Sequence, residues 1–77
     1  MKELLYTIVE KLVEDKSAIE ITQDEPNSDG ITVFHLHVAP NDMGRIIGKQ
    51  GRIAKSIRAI MRAGASKCNM KVNVEIE

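Results

Sequence analysis

The chain has 77 residues, of which 43% are apolar, which is enough for one small globular domain with a modest core and argues against disorder. Eleven basic residues cancel eleven acidic ones, so the molecule is not a general polycation. No apolar run approaches the roughly 20 residues needed to cross a bilayer, the N-terminus carries acids and no small-residue cleavage site expected of a signal peptide, and a single cysteine, Cys68, leaves no internal disulfide and fits a reducing cytoplasm.

The first element is an amphipathic helix from Lys2 to Asp15. Leu4, Leu5, Ile8, Val9, Leu12 and Val13 recur on one stripe of a 3.6-residue period, and this stripe is expected to pack on the domain's own sheet. Ala18–Gln23 reads as a short strand, with Ile19 and Ile21 alternating with Glu20 and Thr22. Asp24–Gly30 is a polar, acidic turn rich in Pro, Asn, Asp and Gly.

Ile31–Ala39 is expected to be the longest strand. Thr32, Phe34, Leu36 and Val38 form its core face; Ile31, Val33, His35 and His37 form the other, and Pro40 stops the ladder. His35 and His37 project to the same side and invite a metal reading. No third or fourth ligand has metal-site spacing, so solvated histidines are expected and no metal is assigned. Asn41 or Asp42 is expected to cap a short helix, Met43–Ile47, in which Gly44 implies close packing against another backbone.

Next comes Gly48-Lys49-Gln50-Gly51. Two glycines three apart permit a tight turn and close approach of a ligand. A helix from Arg52 to Ala63 is expected to follow, so its free N–H groups point back at the loop, where Lys49 adds a positive charge suited to an anion. At about 100° per residue, Ile53, Ile57, Ile60, Met61 and Gly64 share an apolar arc, Lys55, Arg58 and Arg62 lie opposite, and Ser56, Ala59 and Ala63 form a small-residue flank. Gly64 with Ser66 and Lys67 is expected to end this helix, and Met70–Ile76 alternates as a last strand. Cys68 is read as a small, semi-buried residue beside that strand, not a nucleophile.

Charge is polarised along the chain. Residues 1–30 hold eight acids and three bases, net −5; residues 31–77 hold three acids and eight bases, net +5. Arg45, Lys49, Arg52, Lys55, Arg58 and Arg62 fall between Gly44 and Gly64 with no acid among them, which suggests one basic working face. The order α-β-β-α-α-β, with apolar faces on every element, predicts an α+β fold: a three-stranded mixed sheet with helices packed on one face, in one domain over residues 1–77.

Three phosphate-binding patterns compete for the loop. A P-loop requires four residues between its glycines and then Gly-Lys-Ser/Thr; here Gly44 and Gly48 enclose three, and Gln50 stands where a hydroxyl is needed. A dinucleotide fingerprint requires a third glycine and a preceding strand. A helix–GxxG–helix clamp on a single-stranded nucleic-acid backbone fits.

Ile46-Ile47-Gly48-Lys49-Gln50-Gly51-Arg52-Ile53 resembles the signature of the KH domain, and the element order resembles its bacterial, type II arrangement. The resemblance covers nearly the whole chain, and the length is similar to that of the small stand-alone bacterial KH proteins of the KhpA type. It implies single-stranded RNA lying in a groove, with about four nucleotides clamped. One wall is the GxxG loop with its helices and the other the sheet edge. It implies that Lys49 and loop N–H groups (Gly48, Gln50, Gly51) hold phosphates, that Arg45, Arg52 and Lys55 extend the positive wall, and that Ile46, Ile47 and Ile53 are divided between core and an apolar floor under the bases. Tyr6 and Phe34 are the only aromatics, so bases would rest on aliphatic side chains, binding weakly and with little sequence selectivity.

The resemblance also implies homodimers, or heterodimers with a larger, KhpB-like KH-domain protein, for which Ile60 is the candidate contact if it is not plain core. RNA-chaperone or post-transcriptional roles, and in some bacteria control of envelope growth and cell shape, come with the family. A rival reading is an assembly module whose partner supplies most of the RNA contact. An enzyme is not expected, since Asp42 is the only acid between Gly30 and Glu75 and no acid–base set converges; no cofactor is assigned, and RNA against single-stranded DNA stays open.

Overall fold

In the computed structural model, which describes residues 1–77, strand β2 (Ile31–His37) lies at the centre of a three-stranded sheet of order β1-β2-β3. Period-two alternation decides its faces: Thr32, Phe34 and Leu36 are buried, and Val38 just beyond the strand is buried as well. β1 (Glu20–Gln23) pairs with it antiparallel, Ile21 opposite Leu36, and β3 (Lys71–Ile76) pairs parallel, Phe34 opposite Val74. The sheet is mixed, as expected. The turn joining β1 to β2 is held by Asn27, whose Oδ1 accepts the N–H of Asp29 (2.9 Å) and Ile31 (3.0 Å).

The helices cover one face of this sheet. Helix α1 (Lys2–Glu10) buries Leu5 and Val9 and packs Leu4 and Ile8, with Leu12 just beyond its end, at the rim of a core containing Phe34, Leu36, Ile46, Ile57, Met61 and Val74. It is shorter than the expected helix to Asp15. The N–H groups of Glu14 and Asp15 bond to the Asp42 carboxylate, not to carbonyls one turn back. The chain then makes a 3₁₀ turn, Lys16–Ala18, which removes Ala18 from the expected first strand.

The helical run Pro40–Lys67 contains four residues, Gly48–Gly51, with non-helical dihedrals. They divide it into α2 (residues 40–47) and α3 (residues 52–67). Three expectations are corrected here. Ala39 is the N-cap and Pro40 occupies the first turn, where its missing N–H is no loss; Asn41 and Asp42 lie inside the helix. Gly44 is exposed and a Cβ there would meet nothing within 4 Å, so no backbone packs against it. Gly64 does not end α3: it sits within the helix, where a Cβ would lie 2.8 Å from Leu4 Cδ2 and 3.5 Å from Met1 Cε, so α1 and α3 meet closely at this point.

The stop comes at Asn69, in the left-handed region at φ 55°. Met70 N–H donates to the Ala65 carbonyl (2.8 Å) and Asn69 N–H to that of Ser66 (3.2 Å), which together form a Schellman closure. Cys68 is the C-cap and is exposed, contrary to the semi-buried position expected for it.

Candidate nucleic-acid interface

The loop between α2 and α3 is anchored by apolar side chains on both sides. Ile46 is 1% exposed in the last turn of α2, and Ala54 and Ile57 are buried in the first turns of α3. Between these anchors Lys49 (φ 54°), Gln50 (φ 62°) and Gly51 (φ 72°) form three consecutive left-handed residues. This conformation costs an L-residue with a Cβ roughly 1–2 kcal/mol, so Lys49 and Gln50 hold strain that only firmly seated helices can sustain.

The two glycines therefore have different duties, not the shared one read from the sequence. Gly51 provides the left-handed turn. Gly48 has φ −62° and ψ 169°, which any residue adopts, and a Cβ on it would meet nothing within 4 Å. Nothing inside the chain requires glycine at position 48.

Two open cavities border the loop. One, of about 450 Å³, is lined by Gly44, Arg45, Gly48, Lys49, Arg52 and Ile53; the other, of about 410 Å³, by Lys49, Gln50, Arg52, Lys55, Ser56 and Ala59. Lys49, Arg52 and Lys55 are exposed and make no ion pair within the chain. Lys49 and Arg52 belong to both cavities, so the positive field is continuous across the loop. The largest depression, about 530 Å³, lies between α1 and β1; its charges, Lys2 and Glu3, oppose each other and select no anion.

The other sequence candidates separate by burial. Ile46 is core and does not reach the cavities. Ile47 is 52% exposed, and Ile53 is half-buried at the floor of the 450 Å³ cavity. Ile60 is 46% exposed, so it is not plain core. It borders an apolar groove of about 420 Å³ between α1 and α3, floored by Ile8, Leu12, Ile53 and Ile57.

Two arginines read as free cations are engaged internally. Arg58 donates its Nε–H to the Val74 carbonyl on the outer edge of β3 (3.2 Å), while the Asn73 side chain accepts the Val74 N–H (3.1 Å). α3 packs across β3, so the outer edge of β3 lies beside α3, while the two loop cavities themselves are lined by helix and loop residues alone. Arg45 donates to the Leu12 carbonyl, Glu14 and Asp42.

Asp42 is the main residue whose role was missed. It is 3% exposed and accepts N–H from Glu14 (3.0 Å) and Asp15 (3.1 Å), bracing α2 against the end of α1. Those two bonds, and then the charge of Arg45, hold its carboxyl below the ordinary range. Its isolation as an acid in a basic segment was the available signal. His35 is not simply solvated: its ring nitrogens lie 2.8 Å from Asp24 Oδ2 and 2.8 Å from Glu77 Oε1, and these bonds, Asp24 first, raise its pKa above 6.5. No helix is long and apolar enough to cross a membrane.

A family model described as "KhpA/KhpB, KH domain" matches residues 2–76. The chain belongs to the KhpA/KhpB KH-domain family. Among curated relatives, a protein named RNA-binding protein KhpA from Clostridium acetobutylicum is 46% identical over 99% of both chains, and one of the same name from Listeria monocytogenes is 45% identical over 99% of this chain and 97% of its own. Two solved structures share the KH domain's fold at low identity. Era from Aquifex aeolicus bound to GDP and aluminium fluoride aligns with a TM-score of 0.68 at 20% identity, and Era in complex with a segment of 16S ribosomal RNA with 0.61 at 19%. Each alignment covers 97% of this chain and 28% of the Era chain.

Proposed function

We propose that this chain, as a single KH domain in the cytoplasm, binds single-stranded RNA through the Gly48–Gly51 loop and its flanking helices. The observation that carries the reading is the unpaired cation set Lys49, Arg52 and Lys55 around a loop whose Gly48 leaves open space on the ligand side. Loop N–H groups and Lys49 hold phosphates; Arg52 and Lys55 extend the contact along the strand; Ile47 and Ile53 support the bases. With no aromatic in either cavity for stacking, binding by one copy is weak and little selective. The relatives' name, RNA-binding protein KhpA, and the Era complex with ribosomal RNA support this choice of ligand. Of the two acids near the loop, Asp42 is buried and fully engaged and Glu14 is paired with Arg45, which supports a binding role without catalysis. The family resemblance adds a role as RNA chaperone or post-transcriptional regulator to this reading, with which weak, unselective binding is compatible.

Ile60, half-exposed beside the apolar α1–α3 groove, favours a second element of the reading: pairing with another copy or with a larger, KhpB-like KH protein, which would raise RNA affinity through effective concentration. In the rival arrangement pairing is the main activity and the partner supplies most RNA contact. Sedimentation and RNA anisotropy on two variants distinguish them. Lys49→Asp/Gln50→Asp abolishes RNA binding and leaves oligomeric state unchanged. Ile60→Asp yields a folded monomer whose RNA affinity falls no further than the loss of a second copy explains. A charge-reversed loop that binds RNA normally would refute the clamp.

A further inference from the structure

Arg45 is the only lysine or arginine of the chain joined to acids, and its three partners differ in kind. Nη1 donates to the Leu12 carbonyl (3.3 Å); Nη2 donates to Asp42 Oδ1 (3.3 Å) and to Glu14 Oε1 (2.8 Å). The carbonyl is main chain, and the Asp42 carboxylate is buried under two N–H donors of its own, so neither partner moves easily. The Glu14 side chain is 83% exposed, and an ion pair to such a group is weak and readily exchanged. The guanidinium is thus fixed from behind and carries a loosely held carboxylate in front.

Arg45 also lines the 450 Å³ cavity with Gly48, Lys49 and Arg52. To an arginine fork, a carboxylate and a phosphate present the same planar or tetrahedral pair of acceptor oxygens. We propose that Arg45 is a preset phosphate site and that Glu14 is its built-in competitor, displaced when a backbone phosphate of the bound strand arrives. The inference rests on the RNA-binding reading above. Leu12 and Asp42 remove most of the freedom that an arginine ordinarily loses on binding, and Glu14 returns part of that gain as a competing contact. The result keeps a one-copy complex weak and rapidly exchanging.

The test is fluorescence anisotropy of a short labelled single-stranded RNA with wild type, Glu14→Gln and Glu14→Asp, the fold checked by circular dichroism. Both substitutions keep the main-chain N–H that Asp42 accepts. Gln removes the charge; Asp keeps it but withdraws the carboxylate by one methylene, beyond contact. Displacement of an exposed ion pair predicts binding tighter by about 1.5- to fivefold for both variants. In an Arg45→Gln background the gain disappears. A gain with Gln and none with Asp makes Glu14 a general repulsive charge and overturns the inference, as does a gain that survives in Arg45→Gln. Wild type that binds with no gain in either variant overturns it alone; wild type that binds no RNA at any salt overturns the RNA-binding reading together with it.

Discussion

Alanine at the two ends of the Gly48–Gly51 loop adds the same methyl group with opposite consequences. At Gly51, φ is +72°, and a Cβ there costs about 1–2 kcal/mol. Part of this is offset by the loss of unfolded-chain entropy, about 0.4–1 kcal/mol for Gly→Ala. The net is a destabilisation near 1 kcal/mol, which lowers the melting temperature by about 4–8 °C for a domain of this size. At Gly48 the dihedrals suit alanine and no atom lies within 4 Å of the new methyl, so only the entropy term remains and Gly48→Ala melts a few degrees higher. The same methyl projects where a strand must approach, so RNA affinity falls in the more stable variant. Thermal melts by circular dichroism, paired with RNA anisotropy, read both quantities. A Gly51→Ala melting at or above wild type, or a Gly48→Ala melting below it, would refute the description of this loop as one left-handed turn ending in Gly51.

Two pH dependences follow from the side-chain networks. Asp42 has its carboxyl lowered from 3.8 by the main-chain N–H groups of Glu14 and Asp15. Its contribution is therefore present above about pH 4 and is lost as pH falls through its folded-state value. Asp42→Asn is less stable than wild type at pH 7, and melts recorded down to pH 2 show the two converging. His35 is raised above 6.5 by Asp24 and Glu77, so its contribution is complete below the unfolded value and is lost as pH rises through the folded one. Asp24→Asn lowers the His35 pKa measured by NMR and melts below wild type at pH 6 but with it at pH 9; equal pKa values in the two proteins would remove Asp24 from the network.

Legibility in the sequence followed the range of the interaction. Strict alternation from Ile31 to Val38 was enough to assign the core face of β2, and the polar turn ahead of it was enough to assign the hairpin. A helical crossover between β2 and β3 then required parallel pairing if they were neighbours, which they are. The early end of α1 was not readable, because the acceptor for Glu14 and Asp15 lies 27–28 residues away in Asp42. Gly64 looked like a stop because glycine favours helix ends, but its use is the Leu4 contact; the stop was carried by Asn69, a weaker signal for the same left-handed position.

At the candidate site, spacing placed Lys49, Arg52 and Lys55 together around the loop. Burial, which spacing does not report, separated Ile46 from Ile47. Arg45 and Arg58 looked free because a local charge count omits the carbonyls of Leu12 and Val74 that they reach.

The measurement that most directly tests the central claim is the anisotropy of a short single-stranded RNA titrated with wild type and with Lys49→Asp/Gln50→Asp across a salt series. Three phosphate contacts on a single strand predict a log–log salt slope of roughly −2 for wild type, and no binding by the folded variant. Equal binding by both proteins, or binding by neither until a partner protein is added, would contradict the clamp.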